Sequence, residues 1–537
     1  MLELTDADKK KLFWASFLAL SAAGVGFVFR VMIPDMWAGE FQITKTQVGV
    51  LTGAALWPIA VTMILFSLLV DKIGYKISMF FAFALQAASV VLTIQATNFQ
   101  TMWWACFCAG LGHGVVEAVI NPLCASIYRS EKSKWLNILH ASWPAGIVLG
   151  GIAYILLVGT DDGLAWSDTK WIFWVMLIPV VFYGLLFLMC RRFPVDERVE
   201  AGVSYGEMLR EFGGLGIFLA ASFLIYEFAG QMKIDLGDNK LYICLAAGAV
   251  LGTIAGFLLK SKGKLLFFIL CLIMIPLATA ELATDAWIQS LMRPIMGNQY
   301  AAWAIVLSAG IMMTLRFFAG VPLKFMNPPQ LLLLSSVFSI IGLYALSMTS
   351  GGMIFGAFVL YAIGQTFYWP TVLGFVSEQF PKGGAMTLNT VSAMGLLTVG
   401  IFGFPFLGAV QDHYSTQAVM ENESELAQAV VANKVTYIDN TDPAKVAELP
   451  VYEKKNFFGA NYDSINVGEF KKLADMTDER RATLDDTLAV TSQRSLRVAA
   501  VLPMIMAIAF ILIIIYYAAT GGYKPVVLGA NESSDAH

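Results

Sequence analysis

Charge is what this sequence has least of. Asp, Glu, Lys and Arg make up 14% of its 537 residues, against 58% apolar residues, whereas soluble domains carry roughly 25% charged residues. So thin a supply cannot coat a globule of this size, which excludes an ordinary soluble enzyme and a disordered chain. Positive charge is not in surplus either, and a formal net charge of −4 leaves no footprint for nucleic acid. Four histidines without metal-ligand spacing give no zinc site. No phosphate-cradling Walker loop is present, which argues against ATP-driven transport, and no cofactor is expected. The six cysteines (Cys106, Cys108, Cys124, Cys190, Cys244, Cys271) lie in or beside apolar runs and read as small packing residues rather than a disulfide framework. No nucleophile and base converge within an apolar run, so a membrane-embedded enzyme is not expected. What remains, at a mean hydropathy of +0.68, is a surface that faces lipid.

A spanning helix needs about 20 mostly apolar residues. Candidate runs fall near 12–33, 47–70, 76–97, 101–125, 136–158 and 170–190, then at 215–230 and 241–259, then at 264–292, 300–320, 329–348, 353–376, 387–410 and 497–518. These make about fourteen spans, of which 215–230 is the shortest. The N-terminal run is too long for a signal-peptide core and reads as a retained first span. The expected organisation is a six-helix bundle (1–190), a linker with an extra hairpin (191–262), helices seven to eleven of a second bundle (263–410), a polar insertion (411–494), and a last helix with its tail (495–537). The insertion holds 15 acidic against 9 basic residues. Scattered apolar residues such as Leu449, Val451, Phe457 and Phe458 suggest a small folded cap outside the membrane. With the N-terminus inside, Lys72, Lys76, Arg129, Lys132, Lys134, Arg191, Arg192, Lys260, Lys262, Lys264, Lys324 and Lys382 all face the cytoplasm, as the positive-inside rule requires. Both termini are then cytoplasmic, in a multi-pass protein of the cell (inner) membrane.

The two six-helix sets echo each other. The fourth span carries Glu117-Ala-Val-Ile-Asn121-Pro122 and the tenth Gln365-Thr-Phe-Tyr368-Trp-Pro370, each with a polar residue five before a proline. The fifth opens on Leu136-Asn137 and the eleventh on Leu388-Asn389. Each then runs into small-residue faces, Gly146, Gly150 and Gly151 against Gly395, Gly400 and Gly403, which let helix backbones approach closely. Repeated halves around one midplane site are the architecture of alternating-access carriers.

After the second span, Ser67-Leu-Leu-Val-Asp71-Lys72-Ile-Gly74-Tyr-Lys76 resembles the loop signature of the major facilitator superfamily, with serine in place of the leading glycine. The resemblance implies an all-α membrane fold of two six-helix bundles, and gating roles for Asp71, Gly74 and Lys76. Gly112-His-Gly-Val-Val-Glu117-Ala-Val-Ile-Asn121-Pro122, Asn137-Ile-Leu-His140-Ala-Ser-Trp143, Ala283-Thr-Asp285-Ala-Trp287 and the Gln365–Pro370 element are similar to the fucose–proton symporter branch. In that branch an aspartate four residues before the first-helix proline joins the fourth-helix glutamate in proton coupling. Here the position, four before Pro34, is Arg30.

Ionisable residues within spans point to function. At 1.5 Å per residue, Arg30, Glu281 and Asp285 lie roughly 25–31 Å from the inner ends of their spans, so Arg30 with Asp285 or Glu281 is an expected outer gate. Glu117 and His140 share the inner half, and they are the expected proton-binding carboxylate and its hydrogen-bond partner. Arg316, near the inner end of the eighth span, reads as structural. Gln365, Tyr368, Trp143, Trp287 and Asn121, with Arg30, are the expected substrate contacts, offering amide hydrogen bonds and aromatic faces. The expected function is secondary active transport of a small polar metabolite, a sugar or sugar derivative, by proton symport, with the chain working as a monomer in the lipid bilayer. A non-transporting sensor of the same fold and an efflux antiporter are the alternatives.

Overall fold

The computed structural model describes residues 4–43, 45–159, 164–288, 298–349, 353–433, 436–438, 448–458, 460–471 and 477–528. Among them, thirteen helices are long and apolar enough to cross a membrane. Six form the first half: Asp6–Met32, Gln47–Ile73, Tyr75–Gln95, Phe99–Ile127, Arg129–Leu157 and Trp166–Met189. The hairpin Tyr205–Gln231 and Lys240–Leu259 follows, and then Leu265–Ile288, Ala302–Lys324, Pro328–Leu346, Pro381–Asn422 and Asp478–Ala519. The tenth core span consists of two helices in series, Met353–Gln365 and Tyr368–Gln379. Neither piece is long enough alone. Pro370 lacks the N–H that would continue the ladder across Thr366 and Phe367.

The first hairpin helix is longer than its apolar run because it begins in polar sequence. Ser204 and Glu207 cap it reciprocally, satisfying N–H groups that the first turn leaves open. Close helix contacts follow the small residues. A Cβ on Gly146 would stand 2.1 Å from the Ser21 carbonyl oxygen, and one on Gly24 would stand 2.3 Å from that of Trp143, so the first and fifth spans meet backbone to backbone. Gly395 meets Met274 and Trp369, whereas Gly400 faces open space and takes no part in packing. Two π-helical turns, Thr279–Ala283 and Val399–Gly403, interrupt the seventh and eleventh spans. The first of them carries Glu281.

At the end that bears both termini, hydrogen bonds join the halves. There Lys132 Nζ donates to the Ser377 carbonyl at 3.1 Å, and Ser133 donates its N–H at 3.2 Å, and also its hydroxyl, to Glu378. Asn137 Nδ2 donates to Thr371 Oγ1 at 3.2 Å. Glu378 also accepts from Tyr523 of the C-terminal tail at 2.6 Å. At the opposite end the eleventh and last spans continue beyond their apolar stretches as the helices Phe404–Asn422 and Asp478–Ala499. Between them the insertion forms two antiparallel strand pairs over a small core of Val419, Val430, Val451, Ile465, Phe470 and Leu484.

Candidate functional site

Three prolines set up the site. A proline at position i cannot bond the carbonyl at i−4, so Pro122, Pro144 and Pro370 leave the carbonyls of Ala118, His140 and Thr366 open inside the protein. Each finds a side-chain donor. Asn389 Nδ2, from the second half, donates to Ala118 at 3.0 Å. Arg316 fills the other two, with Nε on Thr366 at 2.7 Å and Nη1 on His140 at 3.0 Å. Its Nη2 meets Glu281 Oε1 at 2.6 Å, and Glu281 Oε2 accepts the Trp369 N–H at 3.0 Å. Arg316 is 1% exposed. The residue that reads as structural from the sequence is therefore the junction of three spans and both halves. Arg316 lies in the last turn of its α-helix, Asn298–Phe317, near the inner end of the span as the sequence places it.

Glu117 stands beside this junction. Asn121, one turn on, donates Nδ2 to Glu117 Oε2 at 2.7 Å, and His140 Nε2 lies 2.9 Å from Asn121 Oδ1. The amide fixes the polarity: its oxygen only accepts, so His140 Nε2 carries the proton and donates. His140 thus reaches Glu117 through Asn121, and the direct pair expected from the sequence does not form. His113 is the group the sequence reading passed over. It lies one turn before Glu117 on the same face, with Nε2 3.8 Å from Glu117 Oε1 and its ring stacked on Trp143 at 5.0 Å and 17°.

Arg30 does not pair with Asp285 or Glu281. It turns into the first bundle, where Nη1 donates to the Gly26 carbonyl at 2.9 Å and Nη2 to Ser89 Oγ at 3.2 Å, with its guanidinium 5.7 Å from the Phe173 ring centre. Depth along a helix places a residue but leaves its azimuth open. Phe27, Val28 and Val31 line the space between the halves, and at 3.6 residues per turn Arg30 lies about 100° round from them.

That space is a narrow cavity walled by Phe27, Val28, Val31, Trp143, Pro144 and Ile147 from the first half. Glu281, Leu282, Asp285, Ala286, Ile305, Ser308, Ala309 and Met312 wall it from the second. Asp285 Oδ1 accepts from Gln365 Nε2 at 2.9 Å and from Ser308 Oγ at 3.4 Å. Of the expected substrate contacts only Trp143 lines the cavity. Gln365 supports Asp285 from behind, Tyr368 is fully buried, Trp287 Nε1 donates to Gln411 Oε1 at 3.0 Å, and Asn121 belongs to the Glu117 chain.

The loop after the second span is built around Gly74, whose φ of 82° suits a residue without Cβ. Lys76 Nζ caps the sixth span, donating to Leu188 at 2.8 Å and Cys190 at 3.3 Å. Asp71 pairs with Arg198 of the short linker helix Glu197–Glu200. Neighbouring ion pairs, Lys132–Glu197 and Arg129–Glu200, both at 2.6 Å, strap that helix to the first half. Asp196 Oδ1 caps it by accepting the Arg198 N–H at 2.9 Å, and burial pushes the Asp196 carboxyl up to about 6.

Comparison with known proteins bears on this architecture. Residues 15–293 match the family model described as Major Facilitator Superfamily. No curated protein matches the sequence. Among solved structures, the transporter FucP in its outward conformation superposes with a TM-score of 0.55 at 14% identity, covering 75% of this chain and 92% of that one. A structure described as a partially occluded, inward-open xylose transporter XylE from E. coli gives 0.53 at 13% identity over 74% and 92%. A bacterial homologue of the human lysosomal transporter Spinster gives 0.54 at 15% over 95% and 97%. At these identities the likeness is one of fold. The family match spans more than half of the chain, and the chain belongs to the Major Facilitator Superfamily, as a multi-pass membrane transporter.

Proposed function

We propose that this transporter is proton-coupled, with Glu117 as the carboxylate that takes up and releases the proton. The observation that carries the reading is the setting of Glu117: a buried side chain at the junction of the halves, held by an amide and faced by an imidazole, with no Lys or Arg ion pair among the described residues. A carboxylate held by an amide and a titratable imidazole can exchange a proton without breaking a fixed ion pair. Glu117 is not part of the cavity lining, so proton and solute do not compete for one group, which favours symport over exchange. Both cavity walls come from one chain, which supports a monomer as the working unit. The basic loops at the base support cytoplasmic termini.

The sugar symporters among the structural neighbours favour a sugar. Against it stands the cavity, on which the expected sugar contacts do not converge. The cargo proposed is a small organic molecule taken up between the two walls. Purified protein in liposomes with an imposed pH gradient tests the coupling. Wild type is expected to accumulate solute along the proton gradient. Glu117→Gln should lose accumulation while keeping solute exchange across the membrane. Gradient-driven uptake in Glu117→Gln would refute the proton role, and solute binding without any exchange would favour a sensor.

A further inference from the structure

The two walls of the cavity differ in kind. The face from the first half offers aliphatic side chains with Phe27 and Trp143, whose rings meet at 5.1 Å and 47°, and His113 backs Trp143. The opposite face holds two carboxylates. Glu281 is neutralised by Arg316, and Arg30 points away into the first bundle. Asp285 has no cationic partner among the described residues. Both of its hydrogen bonds are donated to it, by Gln365 and Ser308, an arrangement that orients the carboxylate toward the cavity. The cavity therefore presents one carboxyl group without a cationic partner among the described residues, facing an aromatic corner.

Resting on the carrier reading above, we infer that the cargo is a small organic cation. Its ammonium group lies against Asp285 and its apolar body against Phe27 and Trp143. Ring faces attract cations, more strongly where water is excluded, and a carboxylate fixed by neutral donors is a ready counter-charge. A sugar acid would meet a like charge with no arginine to receive it. A neutral sugar would leave hydroxyls unpaired along the wall from the first half, at about 1–3 kcal/mol each.

The test uses the full-length protein in detergent at constant ionic strength, with benzyltrimethylammonium as probe and benzyl alcohol, glucose, glucuronate and sodium as comparisons. Benzyltrimethylammonium is expected to change tryptophan fluorescence saturably and to raise Tm, with benzyl alcohol at least tenfold weaker. Asp285→Asn, which keeps an acceptor for Gln365 and Ser308, should weaken cation binding at least tenfold. In the wild-type protein, acidification should weaken it about tenfold per pH unit once Asp285 is protonated, a readout that does not depend on the variant folding. Equal cation binding in Asp285→Asn, binding that does not change with pH, tighter binding of glucose or glucuronate, or the same response to sodium alone would overturn the inference. Gradient-driven glucose uptake would refute it and leave the carrier standing. Cation binding with no flux in liposomes would do the reverse.

Discussion

Removing Arg316 is the most demanding test of the junction between the halves. Arg316→Met keeps much of the volume but strands Glu281 as a buried charge and reopens the His140 and Thr366 carbonyls. Losing one member of a buried pair costs about 3–5 kcal/mol. Two unsatisfied carbonyls add about 1–3 kcal/mol each unless water reaches them. At about 2–4 °C per kcal/mol for a cooperative unit the size of one half, the pair alone lowers Tm by roughly 6–20 °C. Glu281→Gln in the same chain removes the stranded charge, so the double variant should recover more than half of that loss. The measurement is a thermal unfolding series in detergent on wild type, both single variants and the double, read as a cycle. Additive single effects, or an Arg316→Met protein as stable as wild type, would refute the claim that this pair holds the junction.

Other expectations follow from the same structure. Asp196 is protonated more readily in the folded state, so the folded chain binds the extra proton between about pH 4 and 6, and stability falls as pH rises through that window. The effect is on the order of 2–3 kcal/mol at most, and Tm of Asp196→Asn followed from pH 4.5 to 7.5 should lack this decline. Gly146→Ala forces the first and fifth spans apart at the Ser21 carbonyl and should destabilise by about 1–3 kcal/mol, whereas Gly400→Ala, facing open space, should leave Tm within about 1 °C, since sites away from such contacts change stability little. His140→Gln and Asn121→Leu separate the parts of the Glu117 chain. If His140 acts by holding the Asn121 amide, uptake in His140→Gln should keep the wild-type pH profile, and Asn121→Leu should shift it; a shift in both would return His140 to a proton-carrying role.

The core spans could be read from apolar runs because lipid demands them, and the Glu117-Asn121-Pro122 element named residues that the structure joins by hydrogen bonds to one another and to His140. The paired asparagines of the repeat both turn out to cross between the halves, Asn137 to Thr371 and Asn389 to Ala118. What the sequence concealed was rotation and continuation. Arg30 had the right depth and the wrong azimuth. Arg316 was placed correctly near its helix end, but an apolar run cannot show that its guanidinium reaches three other spans. The polar first turns of the hairpin hid its length, and the linker helix that answers Asp71 is too short and too charged to stand out. His113 was legible as a neighbour of Glu117 at helical spacing, but only its stacking on Trp143 ties it to the cavity.

The proline-made notches carry a consequence for motion. Arg316, Glu281 and Thr366 all belong to the second half, and only the contact with His140 crosses to the first. When the bundles part, the guanidinium and its carboxylate therefore travel together, and two carbonyls, those of His140 and Ala118, lose their donors at these notches. At these notches reorientation swaps backbone-carbonyl hydrogen bonds for hydration and leaves the Arg316–Glu281 pair intact in the low-dielectric interior.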